Sequence, residues 1–452
     1  VNRLFLLALG FACCWEAVAA RAEPADSERP NVLFLLADDM RADSIAALGN
    51  PDVKTPHLDA LVRTGHVFTN AYCLGANQPA VCTPSRNMLL SGRAYFRWQG
   101  PLAPADQPSL PRSFNERGYA TYHHGKRGNT ATAIQKLFAV DKYVDDERDR
   151  RVGEPGREIV DGAIEYLRTR DAAQPFCMYL AFSNPHDPRV AAPAYRARYQ
   201  AEELKLPENY LPQHPFDNGE LEIRDERLAP WPRTEATIRS HLHDYYAVIS
   251  GLDHHLGRLL AALDELNLRK NTIIVFSADH GLALGSHGLL GKQNLYEHSM
   301  KAPLVFTGPG VVPGKSAALV YLHDIYPTLC ELTGAPAPSG LDGQSVAPLL
   351  RGEAMATRPT LFLAYRDRQR AVRNDRFKLI RYPQVDVTQL FDLENDPHET
   401  RNLAGDPPHR ETLADLRHNL EAWQAQLGDT LAFDVKNPGS PEWSPPPDST
   451  AK

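Results

Sequence analysis

The chain is poor in the residues that mark several common kinds of site. Its 452 residues hold six cysteines, none arranged as Cys-x-x-Cys, and no His-Glu-x-x-His helix motif occurs, so a zinc enzyme has little support. Positive charge is not in surplus. With 49 Lys and Arg against 56 Asp and Glu, nothing in the net charge of −7 suggests nucleic-acid binding or a polyanion-binding surface. No apolar stretch after the N-terminal leader is long enough to span a membrane, and no internal repeat is present. Hydrophobic residues make up 42% of the chain and charged residues 23%, enough at this length for one large core with an appendage.

The leader itself reads as a targeting segment. Arg3 precedes an apolar run over residues 4–12, and Ala17-Val18-Ala19 or Ala20-Arg21-Ala22 offers a small-x-small cleavage site. Residues 1–22 are therefore expected to be a signal peptide, and the protein to be exported, periplasmic or secreted. Cys13 and Cys14 admit a lipoprotein reading, although Gly10 and Phe11 fit a lipid-attachment box poorly.

Further along, short apolar runs alternate with helical patterns, as in a doubly wound α/β sheet. Residues 31–37 and 271–278 are continuous apolar runs of the kind buried in parallel sheets; the first stops at Asp38-Asp39 and the second at Asp279-His280. Residues 175–182 lead to Pro185-His186-Asp187, and residues 119–122 to His123-His124-Gly125-Lys126. Ligands in open α/β sheets bind beyond the carboxyl ends of the strands, so these tips are expected to converge. One acid after a strand would be a helix cap. An Asp pair plus Asp-His on two buried strands reads as a metal cage, hard and oxygen-rich, suited to Ca2+ or Mg2+, with His280 leaving Mn2+ open.

Cys82-Thr83-Pro84-Ser85-Arg86 adds a reactive group. Pro84 suits the first turn of a helix that Gly92 would end, which puts Cys82 at a helix N-terminus where N–H groups favour an anion. A buried cysteine before a Pro-started helix would look the same. Taken with Asp38-Asp39, Gly125-Lys126, Pro185-His186, Asp279-His280-Gly281 and the stretch 288–297 containing Lys292, however, the chain resembles the formylglycine-dependent sulfatases of the alkaline phosphatase superfamily over nearly all its length after the leader.

That resemblance implies an alkaline-phosphatase-like fold: a large, mostly parallel sheet between helices, plus a small C-terminal part with a short antiparallel sheet and a helix. It implies that a maturase oxidises Cys82 to formylglycine, whose hydrate attacks sulfur with one hydroxyl and expels sulfate with the other. A serine ester would instead need a second hard displacement. Asp38, Asp39, Asp279 and His280 would bind one Ca2+ together with the oxygens of residue 82. Arg86 would orient the hydrated aldehyde, Lys126 and Lys292 would hold sulfate, and His186 would protonate the leaving alcohol. The substrate would be a sulfated small molecule or glycan. The alternatives are a phosphonate monoester or phosphodiester hydrolase of the same superfamily, and a catalytically silent binding protein. Conversion of Cys82 leaves Cys73, Cys177 and Cys330 after the leader, an odd number that argues against a fully paired disulfide framework.

Many relatives carry a second histidine shortly after the motif lysine, where this chain has Gly128 and Asn129. Asn129, His123 or His124 would take that place, although adjacent strand residues face opposite ways, so at most one of the two histidines is expected to face the site. His287, on the glycine-rich loop before Lys292, would line the substrate pocket or lie at the surface. Residues 204–234, rich in Pro, Asn and Asp, form a long loop assigned to substrate selection or to a surface insertion. Arg366, Asp367, Arg368 and Arg370 would reach the pocket rim or lie solvated on a hairpin. The expected domains are 23–355 for the catalytic α/β unit, 356–435 for the C-terminal α+β unit and 436–452 for a Pro-rich tail.

Overall fold

The structure, a computed structural model, describes residues 29–98, 100, 102–128, 130–144 and 152–446. The expected signal peptide and Asn129 lie outside these residues. Among the described residues the strands are β1 (Asn31–Asp38), β2 (His66–Tyr72), β3 (Gly75–Ala76), β4 (Ala120–Gly125), β5 (Val140–Tyr143), β6 (Phe176–Pro185), β7 (Thr272–Ala278), β8 (Leu304–Thr307), β9 (Gly314–Tyr321), β10 (Leu361–Tyr365), β11 (Gln369–Arg373), β12 (Phe377–Tyr382) and β13 (Val387–Asp392).

The large sheet runs β5-β4-β6-β1-β7-β8-β2-β9 and is parallel except where β8 meets β7 and β2. Every residue of β1 and of β7 is buried, which is why both read as unbroken apolar runs rather than alternating ones. Helices Arg157–Thr169 and Glu235–Glu265 pack together on one face; Cys82–Ser91, Leu110–Glu116 and Ile325–Thr333 cover the other. The smaller sheet, β13-β12-β11-β10-β3, is antiparallel except that β3 joins β10 in parallel, and helix Arg410–Leu427 packs on β11 and β12. No helix among the described residues is long and apolar enough to cross a membrane. Cys73, Cys82, Cys177 and Cys330 are all free and buried.

Residues 204–234 carry no strand but are held firmly against the sheet tips. Glu226 is buried, pairs with Arg233 at 2.9 Å, and accepts N–H groups from Leu290 and Gly291. Burying that carboxylate with a guanidinium and backbone donors fastens this segment to the loop that carries Lys292.

Candidate active site

The strands β4, β6, β1 and β7 are consecutive neighbours in the sheet, so their carboxyl ends present one continuous edge. Ala37 of β1 lies opposite Ala278 of β7, which sets Asp38 beside Asp279, and Asp38 is level with Pro185 of β6, just before His186. Asp39 turns off the strand with φ of 66°, in the left-handed region that Asp tolerates better than most residues. Three contacts fix the turn: the Asp39 N–H donates to Asp279 Oδ1 at 3.1 Å, the Tyr245 hydroxyl donates to the Asp39 carbonyl at 2.8 Å, and the Arg41 N–H donates to that same tyrosine at 2.9 Å. Tyr245 projects from the Glu235–Glu265 helix, whose N-cap Thr234 accepts from the Thr237 N–H.

From the other face, helix Cys82–Ser91 delivers Cys82 and Arg86, and all ten of its residues are buried. Gly92 ends it in the left-handed region with its N–H on the Met88 carbonyl, as the sequence predicts. Ser85 Oγ donates to the Asp279 carbonyl at 2.6 Å, tying this helix to β7. Cys82 Sγ then stands 3.3 Å from His280 Nε2, 3.3 Å from Lys292 Nζ and 3.9 Å from Asp39 Oδ1. Arg86, fully buried, donates from Nε to Asp279 Oδ2 at 2.9 Å and from Nη2 to the Phe182 carbonyl, and its Nη2 lies 3.4 Å from Asp38 Oδ2. Lys126 Nζ donates to Asp38 Oδ2 at 2.8 Å, and Lys292 Nζ to Asp39 Oδ1 at 2.7 Å.

The electrostatics follow from this pairing. Burial would raise the Asp38 carboxyl, yet Lys126 and Arg86 hold it well below the usual range; Asp39, buried likewise, is brought down to about 2, chiefly by Lys292. Lys292 is pushed well above an ordinary amine against the cost of burial, by Asp39 and by Cys82 and Asp225. Burial and the nearby carboxylates, Asp38 first, raise the Cys82 thiol well above its ordinary value, so the encoded cysteine is a poor nucleophile.

Ligand atoms of Asp38, Cys82, Asp279 and His280 all lie within 4.8 Å of one another. His280 Nδ1 lies 2.9 Å from the Gly281 carbonyl, a contact that places the proton on Nδ1, so Nε2 turns its lone pair toward Asp39 Oδ1 at 3.5 Å and Asp279 Oδ1 at 3.6 Å. A lone pair and carboxylate oxygens facing one another at this range are the donor set of a cation site. Arg86 Nη1, buried, has no acceptor among the described residues, which suits an oxygen carried at position 82.

The nine residues expected to do chemistry therefore meet, while three possible substrate contacts do not. His123 pairs with Asp141 at 2.7 Å and stacks on Tyr179; His124 points to the opposite face of the sheet, toward Gly162 of helix Arg157–Thr169. Neither lines the pocket, because both precede the strand tip. His287 is buried, stacked at 4.0 Å on Tyr296 and bonded to His298 and the Glu399 carbonyl, so it braces the loop behind the site instead of lining it. Arg366 pairs with Glu220 and Arg370 with Asp429, so neither reads the rim.

The pocket over Cys82, about 300 Å³, is lined by Lys126, His186 and Lys292, and also by Ile223, Arg224, Asp225 and Gln293. The 204–234 segment thus reaches the site. Its residues carry no spacing pattern that would have singled out Arg224 or Asp225 beforehand.

Comparison with known proteins agrees with this geometry. The Sulfatase family model matches residues 30–335, and the model "N-sulphoglucosamine sulphohydrolase, C-terminal" matches 285–426. An ulvan-active sulfatase of Formosa agariphila is 27% identical, over 95% of this chain and 90% of its own length. Among solved structures, one in complex with its substrate D-glucosamine-2-N,6-O-disulfate shares 23% identity at a TM-score of 0.76, over 90% of this chain and all of that one. The phosphonate monoester hydrolase of Agrobacterium radiobacter shares 22% at 0.75, over 88% and 96%. With the Sulfatase model matched over more than half of its length, the chain belongs to the sulfatase family of the alkaline phosphatase superfamily and is a sulfuric ester hydrolase.

Proposed function

We propose that the chain removes sulfate from a sulfated carbohydrate, with Cys82 converted by a maturase to formylglycine and one Ca2+ held by Asp38, Asp39, Asp279 and His280. The observation that carries the reading is the convergence of His280, Lys292 and Asp39 on Cys82 Sγ within 3.9 Å. Sγ marks the place where an oxygen of the hydrated aldehyde would stand. Bound there, the calcium ion would polarise sulfate and aldehyde oxygens, and the aldehyde hydrate would supply a nucleophile that can be regenerated.

The chain's own groups do the rest. Three carboxylates, Asp38, Asp39 and Asp279, face three cations, Arg86, Lys126 and Lys292, so a divalent ion makes the pocket positive and draws in an anionic ester despite the acidic net charge. Lys126 and Lys292 hold sulfate oxygens and offset charge as the S–O bond breaks. Arg86 orients the nucleophile through its Nη1 edge. His186 Nδ1 lies 2.7 Å from the Asp187 carbonyl, which aims Nε2 into the pocket, 3.9 Å from Asp39 Oδ2, to hand a proton to the leaving alcohol. A sugar alkoxide leaves poorly, so this step is worth about a hundredfold or more.

The carbohydrate substrate is supported by the Formosa relative's activity on ulvan and the neighbour's disulfated glucosamine. Export is supported by the charged and apolar leader at residues 3–12.

The test is sulfate release from sugars sulfated at single known positions, by protein whose Cys82 peptide shows the aldehyde mass. At least one ester is expected to be cleaved, with no release by Cys82→Ala, loss on chelation and recovery with Ca2+. Turnover of a phosphodiester above that of every sulfate ester would move the assignment to the phosphonate hydrolases that share this fold, and a thiol that stays unmodified in every host would leave a binding protein.

A further inference from the structure

Arg224 is the most open cation of the pocket. Its side chain is 58% exposed, against 13% for Lys126 and 3% for Lys292. It belongs to the 204–234 segment, lines the same pocket as Cys82 and is already bonded on two sides. Nη1 donates to Asp187 Oδ1 at 2.7 Å, Nη2 donates to Asp187 Oδ2, and Nη1 also donates to Asp225 Oδ1 at 3.0 Å. A guanidinium has five N–H donors, and these contacts use three. The two left over, on Nε and on the outer side of Nη2, are parallel and form the side-on fork that matches a carboxylate or sulfate bidentately. The end-on pair to Asp187 locks the plane of the group, so little rotamer freedom remains to be lost when a ligand binds. Asp225 is in turn held by Gln293 Nε2 at 2.8 Å, and Pro79, Ala80 and Ile223 supply apolar lining to the same pocket.

We propose that Arg224 is a specificity-determining residue: its free Nε/Nη2 edge grips a second anionic group of the substrate, a second sulfate or a uronic carboxylate, next to the ester being cleaved. The inference rests on the reading of the substrate as a sulfated carbohydrate. Asp187 and Asp225 temper the charge of Arg224, so recognition depends on the fork's geometry as much as on its charge, and a lysine is an incomplete substitute.

The experiment compares wild type with Arg224→Gln and Arg224→Lys, each with matched aldehyde content and thermal stability. Three substrates are used: a sugar with one sulfate, the same sugar with two, and the monosulfated sugar linked to a uronic acid. Wild type is expected to prefer one of the doubly anionic substrates, and the kcat/KM ratio to fall about tenfold or more in Arg224→Gln, through KM, with partial recovery in Arg224→Lys. The substrate whose advantage disappears identifies the second anion. No preference in wild type, or a uniform loss on all three substrates with the ratio unchanged, overturns the proposal and leaves Arg224 as a fastener of Asp187 and the loop. Failure of wild type to release sulfate from any sugar overturns the carbohydrate reading itself, and this inference with it.

Discussion

Asp39 combines two demands at one position, a left-handed backbone and a negative charge beside a buried ammonium. Asparagine meets the first demand and fails the second. Asp39→Asn is therefore expected to fold, with the turn still held by Tyr245 and Asp279, while Lys292 loses its nearest charged partner and the proposed calcium site loses a carboxylate. Activity should fall by about a hundredfold or more, and the rise in melting temperature on adding Ca2+ should shrink; a full calcium-dependent rise would remove Asp39 from the ligand set. At this scale the chemistry was legible because each of Asp38, Lys126, His186 and Asp279 ends or directly follows a strand that an apolar run announces in the sequence. Arg224 was not, since a loop without periodicity gives no sign of which side chain turns inward. The histidines misled for a related reason: a residue type suited to catalysis says nothing of which face of a strand it occupies, and Tyr179 and Gly162 claim the two faces at His123 and His124.

Among the elements, helix Cys82–Ser91 bears the tightest constraint, since all its residues are buried and its first turn must hold both Cys82 and Arg86 in register with β7. Its end is set by Gly92 at φ of 67°, where an added Cβ would meet Tyr326 Cδ1 at 2.9 Å and Leu341 Cδ2 at 3.0 Å. Gly92→Ala should cost about 2 kcal/mol or more, the left-handed backbone penalty plus steric crowding. Gly352→Ala, at φ of 72° with nothing within 4 Å, should cost only the backbone part, about 1 kcal/mol. Denaturant unfolding of the two variants measures the difference, and equal costs would mean that Tyr326 and Leu341 move aside freely. The helix and its stop signal were readable from Pro84 and Gly92, as were β1, β6 and β7 from their apolar runs. The four-residue β8, the two-residue β3 and the half-exposed β9 were not, because their strand character comes from pairing with residues far away in sequence.

In the whole molecule the two sheets are joined by buried charge as well as by β3. Glu297, near the end of the Lys292 loop, accepts from the Tyr72 hydroxyl of β2 and from Lys378 Nζ of β12 at 3.0 Å, with Arg373 of β11 at 3.5 Å; Lys378 also meets Glu399 at 2.9 Å. Two carboxylates thus share one lysine, but not equally. Glu297 has Arg373 and Lys301 besides, and lies well below the usual carboxylate range despite burial. Glu399 has Lys378 and the Glu297 N–H against burial and the repulsion of the Glu297 carboxylate, and is raised to about 7. Unfolded, a glutamate titrates near ~4.3. Between that value and about 7 the folded protein keeps a proton on Glu399 that the unfolded chain has released, so stability falls as pH rises through this window and levels off above it. Glu399→Gln still accepts the Glu297 N–H that now reaches Glu399 Oε2 at 2.7 Å, and it carries no charge at any pH. Relative to this variant, wild type should lose up to about 3 kcal/mol between pH 5 and pH 8, read as a widening gap between their unfolding midpoints measured at fixed calcium. Parallel curves would mean that Lys378 holds Glu399 ionised across the range and that the joint between the sheets is insensitive to pH. A gap that opens would mean that the loop carrying Lys292 is anchored by a joint that weakens as the pH rises from acid to neutral, so that pH reaches the catalytic pocket through the fold as well as through the catalytic groups themselves.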